Sequence, residues 1–251
     1  MHFDKMKQVV KRISGELKLG TMPLSLSGVL LGSLLAMADF HVSWTVVASL
    51  VMTAASLHVY QYGDRSKAAL IPAVVFAVLS VYFSFGKIFM LESLLVLLFT
   101  YFIMRLAAGF VATGRGKAVD GMVMCLLTGP VAVIGAYYLC SHSFGSWVLL
   151  FPACSIGILC AATAGLTDGY GKTSVILLML SGLVLMSVYP FLRIHDPAHF
   201  RFAIMIPIYI MYMVMMGMDR NRTPDSFQLT FSFCLFVLAV ITGLGFVSYL
   251  F

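Results

Sequence analysis

Charged side chains are scarce in this sequence. Asp, Glu, Lys and Arg together make up 10% of the 251 residues, whereas apolar residues make up 61%. A soluble domain is about a quarter charged and about half apolar. A water-soluble fold of this length could not hide so much apolar surface, so the composition excludes an ordinary soluble domain. It predicts instead one domain embedded in a membrane, where the bilayer acts as the solvent.

The sequence also lacks the patterns of a metal-binding cysteine motif and of a transmembrane barrel. Its five cysteines lie in or at the edges of apolar segments without metal-ligand spacing, which indicates packing residues. His195 and His199 are four residues apart, but Pro197 lies between them in a predicted outward loop, which disfavours a helical metal site. The apolar segments are continuous rather than alternating, so α-helices are the remaining way to satisfy the backbone in lipid.

Nine apolar segments are long enough to cross the hydrocarbon core, which needs roughly 17–25 residues. They lie near residues 21–38, 42–62, 68–85, 88–104, 121–140, 147–166, 173–192, 202–218 and 227–251. The sequence therefore predicts an all-α integral membrane protein with nine transmembrane helices. Residues 21–251 are expected to form its single multi-pass domain.

The distribution of Lys and Arg predicts the orientation of these segments. If the N-terminus is cytoplasmic, the inner side carries thirteen of the 16 basic residues, and the outer side carries Lys87, Arg193 and Arg201. Such a split follows the positive-inside rule. We therefore expect a protein of the inner (plasma) membrane with a cytoplasmic N-terminus and a C-terminus outside. The net charge of +6 is then a topology signal, and it gives no reason to expect nucleic-acid binding.

Residues 1–20 have the pattern of an amphipathic surface helix. Apolar side chains recur at spacings of three and four, while the basic side chains lie mostly elsewhere. Such a helix can lie among the headgroups of anionic membrane lipids. The alternative interpretation is a solvated basic anchor.

Two short loops on the predicted inner side carry the polar residues that are candidates for metal binding and catalysis. Asp64 follows segment two beside Arg65 and Lys67, and Asp168 follows segment six ahead of Lys172. The loops occupy equivalent places in two successive four-segment halves. If both face one cavity, the two carboxylates could share a divalent ion, with the cations nearby for phosphate oxygens. The alternative is that both are ordinary inner loops that obey the charge rule.

Residues 21–33, 62–64, 129–138 and 151–157 carry a family resemblance: TMPLSLSGVLLGS, YGD, GPVAVIGAYY and FPACSIG. They resemble segments of the UbiA superfamily of membrane prenyltransferases, and most closely its branch that prenylates dihydroxynaphthoate in menaquinone synthesis. Residues 21–33 (TMPLSLSGVLLGS) are similar to the family's first helix, and residues 62–64 (YGD) to the end of its first motif, N-D-Y-G-D. Residues 129–138 (GPVAVIGAYY) resemble its fifth helix, and residues 151–157 (FPACSIG) its sixth. These matches fall in register over about two thirds of the chain.

The resemblance implies a fold of two four-helix groups plus one helix around a central cavity. It implies transfer of an isoprenoid chain from a prenyl diphosphate to a lipid-soluble aromatic acceptor, with Mg²⁺ on the diphosphate. Two aspartate-rich loops hold the metal in the family, which makes Asp64 and Asp168 the expected metal-binding and catalytic residues. The residues expected to bind the diphosphate are Arg65, Lys67, Arg115 and Lys172.

The sequence departs from the family pattern within both motifs. Tyr60 and Gln61 stand where the first motif has Asn and Asp, and the second motif keeps only Asp168 and its trailing Lys172. Three hypotheses follow. The chain is a prenyltransferase with an altered site, or a non-catalytic descendant that binds an isoprenoid or quinone, or an unrelated transporter. The scarcity of charges within the segments disfavours the transporter.

Overall fold

The computed structural model describes residues 22–40, 42–62, 67–86, 90–112, 118–167, 172–193 and 224–247. They form eight α-helices and one short 3₁₀ turn. The helices are α1 (Met22–Phe40), α2 (Trp44–Tyr62), α3 (Lys67–Phe85), α4 (Met90–Ala112), α5 (Ala118–Ser141), α6 (Leu150–Thr167), α7 (Lys172–Arg193) and α8 (Pro224–Val247), and the 3₁₀ turn Trp147–Leu149 precedes α6.

The predicted all-α class is confirmed for this part of the chain, which contains no β-strand. The eight helices coincide with predicted segments one to seven and nine. Segment eight (202–218) and the surface helix (1–20) lie outside the described residues, so the count of nine stays a prediction. Within the described part, one helical stretch, Ser174–Arg193, is long and apolar enough to cross a membrane, with a mean hydropathy of 2.3.

The bounds of α4 differ from the predicted ones. The apolar pattern predicts an end near residue 104, but the helix continues to Ala112 and includes Arg105. Hydropathy marks only the part of a helix that suits lipid, whereas Arg and Ala are both strong helix formers. A helix can therefore continue past the apolar stretch that reveals it.

Helix α1 lies at the centre of the bundle. Every residue from 31 to 38 is buried, so the helix is covered around its whole circumference. A helix that is apolar and buried on all sides belongs to the interior of a bundle. Its neighbours are α2, α4, α5, α6 and α8.

Small residues allow α1 and α5 to pack closely side by side. A Cβ built on Gly28 would lie 2.7 Å from the Cβ of Ala132, and one built on Gly32 would lie 2.9 Å from the backbone carbonyl carbon of Val133. From Gly28 to Gly32 on α1, the contacted residue on α5 also moves toward the C-terminus, from Ala132 to Val133. The two helices are therefore parallel. Gly28 and Gly32 form a G-x-x-x-G pattern, which is typical of close helix packing, and the contact joins the first helix of each four-segment half.

The contacts define two ends of the bundle. Helix α1 ends at Phe40 where α2 begins at Trp44, and α5 ends beside the turn that begins at Trp147. We name this the tryptophan end. At the opposite end, here named the loop end, α2 ends at Tyr62 and α6 ends at Thr167.

Candidate functional sites

The predicted diphosphate site falls almost wholly outside the described residues. Asp64, Arg65, Arg115 and Asp168 are not described, and Lys67 and Lys172 are described only as the first residues of α3 and α7. The shared metal therefore stays a prediction. In the part of the chain that the structure describes, no three His, Cys, Asp or Glu side chains lie close enough together to hold a metal ion.

The helix ends that flank the two carboxylate loops are described. Helix α2 ends at Tyr62 and α3 begins at Lys67, while α6 ends at Thr167 and α7 begins at Lys172. All four positions lie at the loop end, because α2 and α6 both start at the tryptophan end. The described helix ends that flank the second-to-third and the sixth-to-seventh connections therefore lie on one side of the bundle.

A polar network at the tryptophan end ties three helices together. The Tyr137 hydroxyl of α5 donates a 2.6 Å hydrogen bond to Asp39 Oδ2 near the end of α1. Arg193, the last residue of α7, forms an ion pair with Asp39 Oδ1. Arg193 Nη1 also donates to the hydroxyl of Tyr189, at 2.9 Å and one turn earlier in α7. Both Asp39 oxygens are thus engaged, which suits a structural tie rather than an acid or base.

Sequence reasoning missed this network. Arg193 entered the sequence analysis only as one of the basic residues on the predicted outer side. Asp39 is a single carboxylate just past the first apolar segment. The pairing joins residues 154 positions apart, so no local pattern reveals it. The one available signal was that both residues occupy the outer boundary of their segments, where charges of opposite sign can meet.

A cavity of about 380 Å³ lies between α2, α3, α4 and α5 at the tryptophan end. Ligand-binding pockets in proteins begin near 300 Å³. Among the described residues, its apolar walls come from Val46, Leu50, Val81, Phe85, Leu95, Val96 and Leu139, and its polar and aromatic lining from Ser80, Ser84, Glu92, Tyr138, Cys140 and His142. The sequence analysis did not predict this cavity.

His142 organises the polar rim of the cavity. It follows α5 with a positive φ of 55°, a helix-ending conformation that His adopts more readily than most residues. Its backbone N–H donates to the Tyr138 carbonyl at 2.7 Å. Its Nε2 lies 3.2 Å from the Ser84 hydroxyl, and its ring centre is 4.0 Å from that of Phe85. Partial burial lowers the pKa of His142 below 6.5, so the imidazole is neutral at pH 7.

Comparison with protein-family models and with curated proteins finds no match to this chain.

Proposed function

We propose that the chain is an integral membrane protein whose helices cross the bilayer, with the loop end in the cytoplasm. The α-helices contain 18 to 24 residues. At about 1.5 Å per residue they are about 27–36 Å long, which matches a hydrocarbon core of about 30 Å.

The distribution of polar and apolar residues on α4 supports membrane insertion. Leu91 is 67% exposed and Leu98 is 54% exposed, whereas Ser93 and Thr100 on the same helix are buried. A continuous apolar face of this kind is unfavourable in water. In lipid the same arrangement is favourable, because hydrocarbon solvates the leucines and the bundle interior covers the hydroxyls.

Aromatic residues at the tryptophan end further support insertion. The chain has two tryptophans, and both begin helical segments at this end. Trp44 is 49% exposed and Trp147 is 66% exposed, and the exposed rings of Tyr82 and Tyr138 lie at the same end. Tryptophan and tyrosine are enriched where a membrane protein meets the headgroup region.

We further propose that the loop end transfers an isoprenoid chain from a prenyl diphosphate to a lipid-soluble aromatic acceptor, as in quinone synthesis. The observation that carries the proposal is the common location of the four helix ends that flank Asp64 and Asp168. Helix ends on one side of the bundle allow the two carboxylates to approach one diphosphate, and the motif resemblance supplies the reaction class.

The residues of the two loops fit the charge of this substrate. Asp64 and Asp168 supply hard oxygen ligands, and Mg²⁺ when bound there neutralises the departing diphosphate. Arg65, Lys67, Arg115 and Lys172 are then the cations for the phosphate oxygens. Lys67 and Lys172 begin helices, where the positive end of the helix dipole also favours an anion.

The second candidate is a non-catalytic relative that binds an isoprenoid or quinone. It is favoured by Tyr60 and Gln61, which occupy motif positions where the family has Asn and Asp. Each missing carboxylate removes a ligand that would hold the metal on the leaving group. A single preorganised charge stabiliser is worth about 2.7–4 kcal/mol of barrier. We therefore expect any prenyl transfer to be slow relative to a complete site.

The test is Mg²⁺-dependent turnover of a labelled prenyl diphosphate with a dihydroxynaphthoate acceptor by purified protein. Asp64→Asn and Asp168→Asn are each expected to lower turnover by about 10²–10³-fold. Asp196→Asn is the matched control, because it removes a carboxylate from the predicted outer loop. Its turnover should equal that of the unmodified chain.

Two outcomes separate the candidates. Rapid turnover that neither Asp64→Asn nor Asp168→Asn affects would show that the site lies elsewhere. Retained binding of the diphosphate without turnover in any form would favour the non-catalytic relative.

A further inference from the structure

The cavity at the tryptophan end has no role in the proposed prenyl transfer. It lies at the opposite end of the bundle from the helix ends that flank Asp64 and Asp168. Its walls are valine, leucine and phenylalanine side chains, and its polar groups gather where α3, α4 and α5 come together. An apolar interior with a few polar groups at one side is the usual form of a small-molecule site.

Among the described residues that line the cavity, one is acidic. It is Glu92, in the first turn of α4. Within the described part of the chain, the Glu92 carboxylate forms no ion pair and accepts no hydrogen bond. His142, which also lines the cavity, is neutral at pH 7 and does not offset the negative charge. Among the described residues that line the cavity, one carboxylate without a compensating cation thus lies beside an apolar interior.

Aromatic rings accompany this carboxylate. Phe85 and Tyr138 both line the cavity. Phe144 stacks on Tyr138 with ring centres 4.6 Å apart. Aromatic faces attract cations, and the attraction grows when water is excluded. A carboxylate and aromatic faces together favour a positively charged group and disfavour an anion.

We propose that this cavity binds a lipophilic monocation, with the apolar body between α2 and α5 and the cationic group beside Glu92. The inference is independent of prenyl transfer, which needs a polyanion at the other end of the bundle. The proposed ligand of the cavity is a cation, whereas the proposed substrate of the loop end is an anion.

Tritiated tetraphenylphosphonium is a suitable probe, measured by scintillation proximity on purified protein in a non-ionic maltoside detergent. Unlabelled tetraphenylborate has the same shape and the opposite charge, so it is the matched competitor. We expect saturable binding of the cation, displacement by unlabelled tetraphenylphosphonium and by dodecylammonium, and no displacement by tetraphenylborate at equal concentration.

Variants locate the binding site. Glu92→Gln keeps the shape of the side chain and removes its charge, and it should weaken binding at least tenfold. Leu95→Trp adds bulk at the cavity lining and should abolish binding. Leu98→Trp is the control, because Leu98 lies one turn further along α4, is similarly exposed and does not line the cavity. It should bind as the unmodified chain does.

Three results would overturn the proposal. The first is a Glu92→Gln variant that binds the cation as tightly as the unmodified chain does. The second is the same loss of binding in Leu95→Trp and in Leu98→Trp. The third is displacement of the cation by tetraphenylborate as effective as that by unlabelled tetraphenylphosphonium. Size-exclusion profiles of the variants identify any misfolded form. Because Glu92→Gln and Leu95→Trp act through charge and through volume, each tests the site without the other.

Discussion

At the scale of single residues, the best-defined polar feature is the network on Asp39. Its carboxylate accepts from Tyr137 and pairs with Arg193, so α1, α5 and α7 meet at one charged group. Asp39 and Arg193 are only 18% and 34% exposed. Removing one partner would leave another polar group partly buried without its bond, which costs more than the bond itself contributes.

Adjacent tyrosines allow a matched test of this network. Tyr137→Phe removes the hydroxyl that donates to Asp39 and should lower the free energy of unfolding by about 2 kcal/mol, as for a hydrogen bond to a charged group. Tyr138→Phe removes the hydroxyl of a 40% exposed ring and should leave stability unchanged. Thermal melts in non-ionic detergent give the comparison, and equal melting midpoints for the two variants would contradict it.

His142 provides a prediction for pH. Its folded pKa is lowered by burial, while the unfolded value is near 6.5. As the pH falls through 6.5, the unfolded chain binds the proton more readily than the folded chain, so the stability present above 6.5 declines below it. His142→Asn tolerates the positive φ without titrating in this range. Its melting midpoint should fall less between pH 7 and pH 5 than that of the unmodified chain, and identical pH profiles would refute the assignment.

At the scale of the helices, the contact between α1 and α5 depends on residues without bulky side chains. Gly28 faces the side chain of Ala132, whereas Gly32 faces the backbone of Val133. The two glycines therefore differ in what an added methyl group would meet. A side-chain partner can be made smaller by mutation, but a backbone carbonyl cannot.

This difference predicts which variant can be rescued. Gly28→Ala and Gly32→Ala should each destabilise the bundle by about 1–3 kcal/mol through overpacking. Adding Ala132→Gly to Gly28→Ala should recover most of the loss. Adding Ala136→Gly to Gly32→Ala should recover little, because the new methyl group still meets the Val133 carbonyl. Equal recovery in the two pairs, measured by thermal melts, would count against this packing.

The helices were largely predictable because apolar length alone identifies a segment that suits lipid. That signal located all eight described helices. It placed the end of α4 too early, because Arg105 interrupts the apolar run without interrupting the helix. The packing partners of α1 were harder to predict from the sequence. The G-x-x-x-G pattern at Gly28 and Gly32 predicts close packing but does not name α5 as the partner.

The two candidate sites, one at each end of the bundle, differ in how far the sequence predicted them. At the loop end, the motif resemblance and the two-half pattern proposed Asp64 and Asp168, and the described helix ends are consistent with a common side. At the tryptophan end, nothing in the sequence brings Glu92 and His142 together, because the cavity depends on the three-dimensional packing of four helices. A cavity has no signature in a linear pattern of apolar residues.

At the scale of the whole molecule, orientation in the membrane is a separate prediction. The basic residues predict a cytoplasmic loop end, and the exposed tryptophans predict the opposite membrane boundary. A periplasmic reporter enzyme fused after Phe251 should be active, and the same reporter fused after Tyr62 should be inactive. Activity after Tyr62, or a cytoplasmic reporter active after Phe251, would contradict nine spans with a cytoplasmic N-terminus.

The central claim is that Asp64 and Asp168 form one diphosphate site at the loop end, and an unreactive prenyl diphosphate analogue tests it whether or not catalysis occurs. Binding is measured with and without Mg²⁺ for the unmodified chain, Asp64→Asn, Asp168→Asn and the outer-loop control Asp196→Asn. We predict Mg²⁺-dependent binding that weakens at least tenfold in either loop variant, a change of about 1.4 kcal/mol, and persists in the control. Equal binding in all four proteins, or no binding in any of them, would contradict the account.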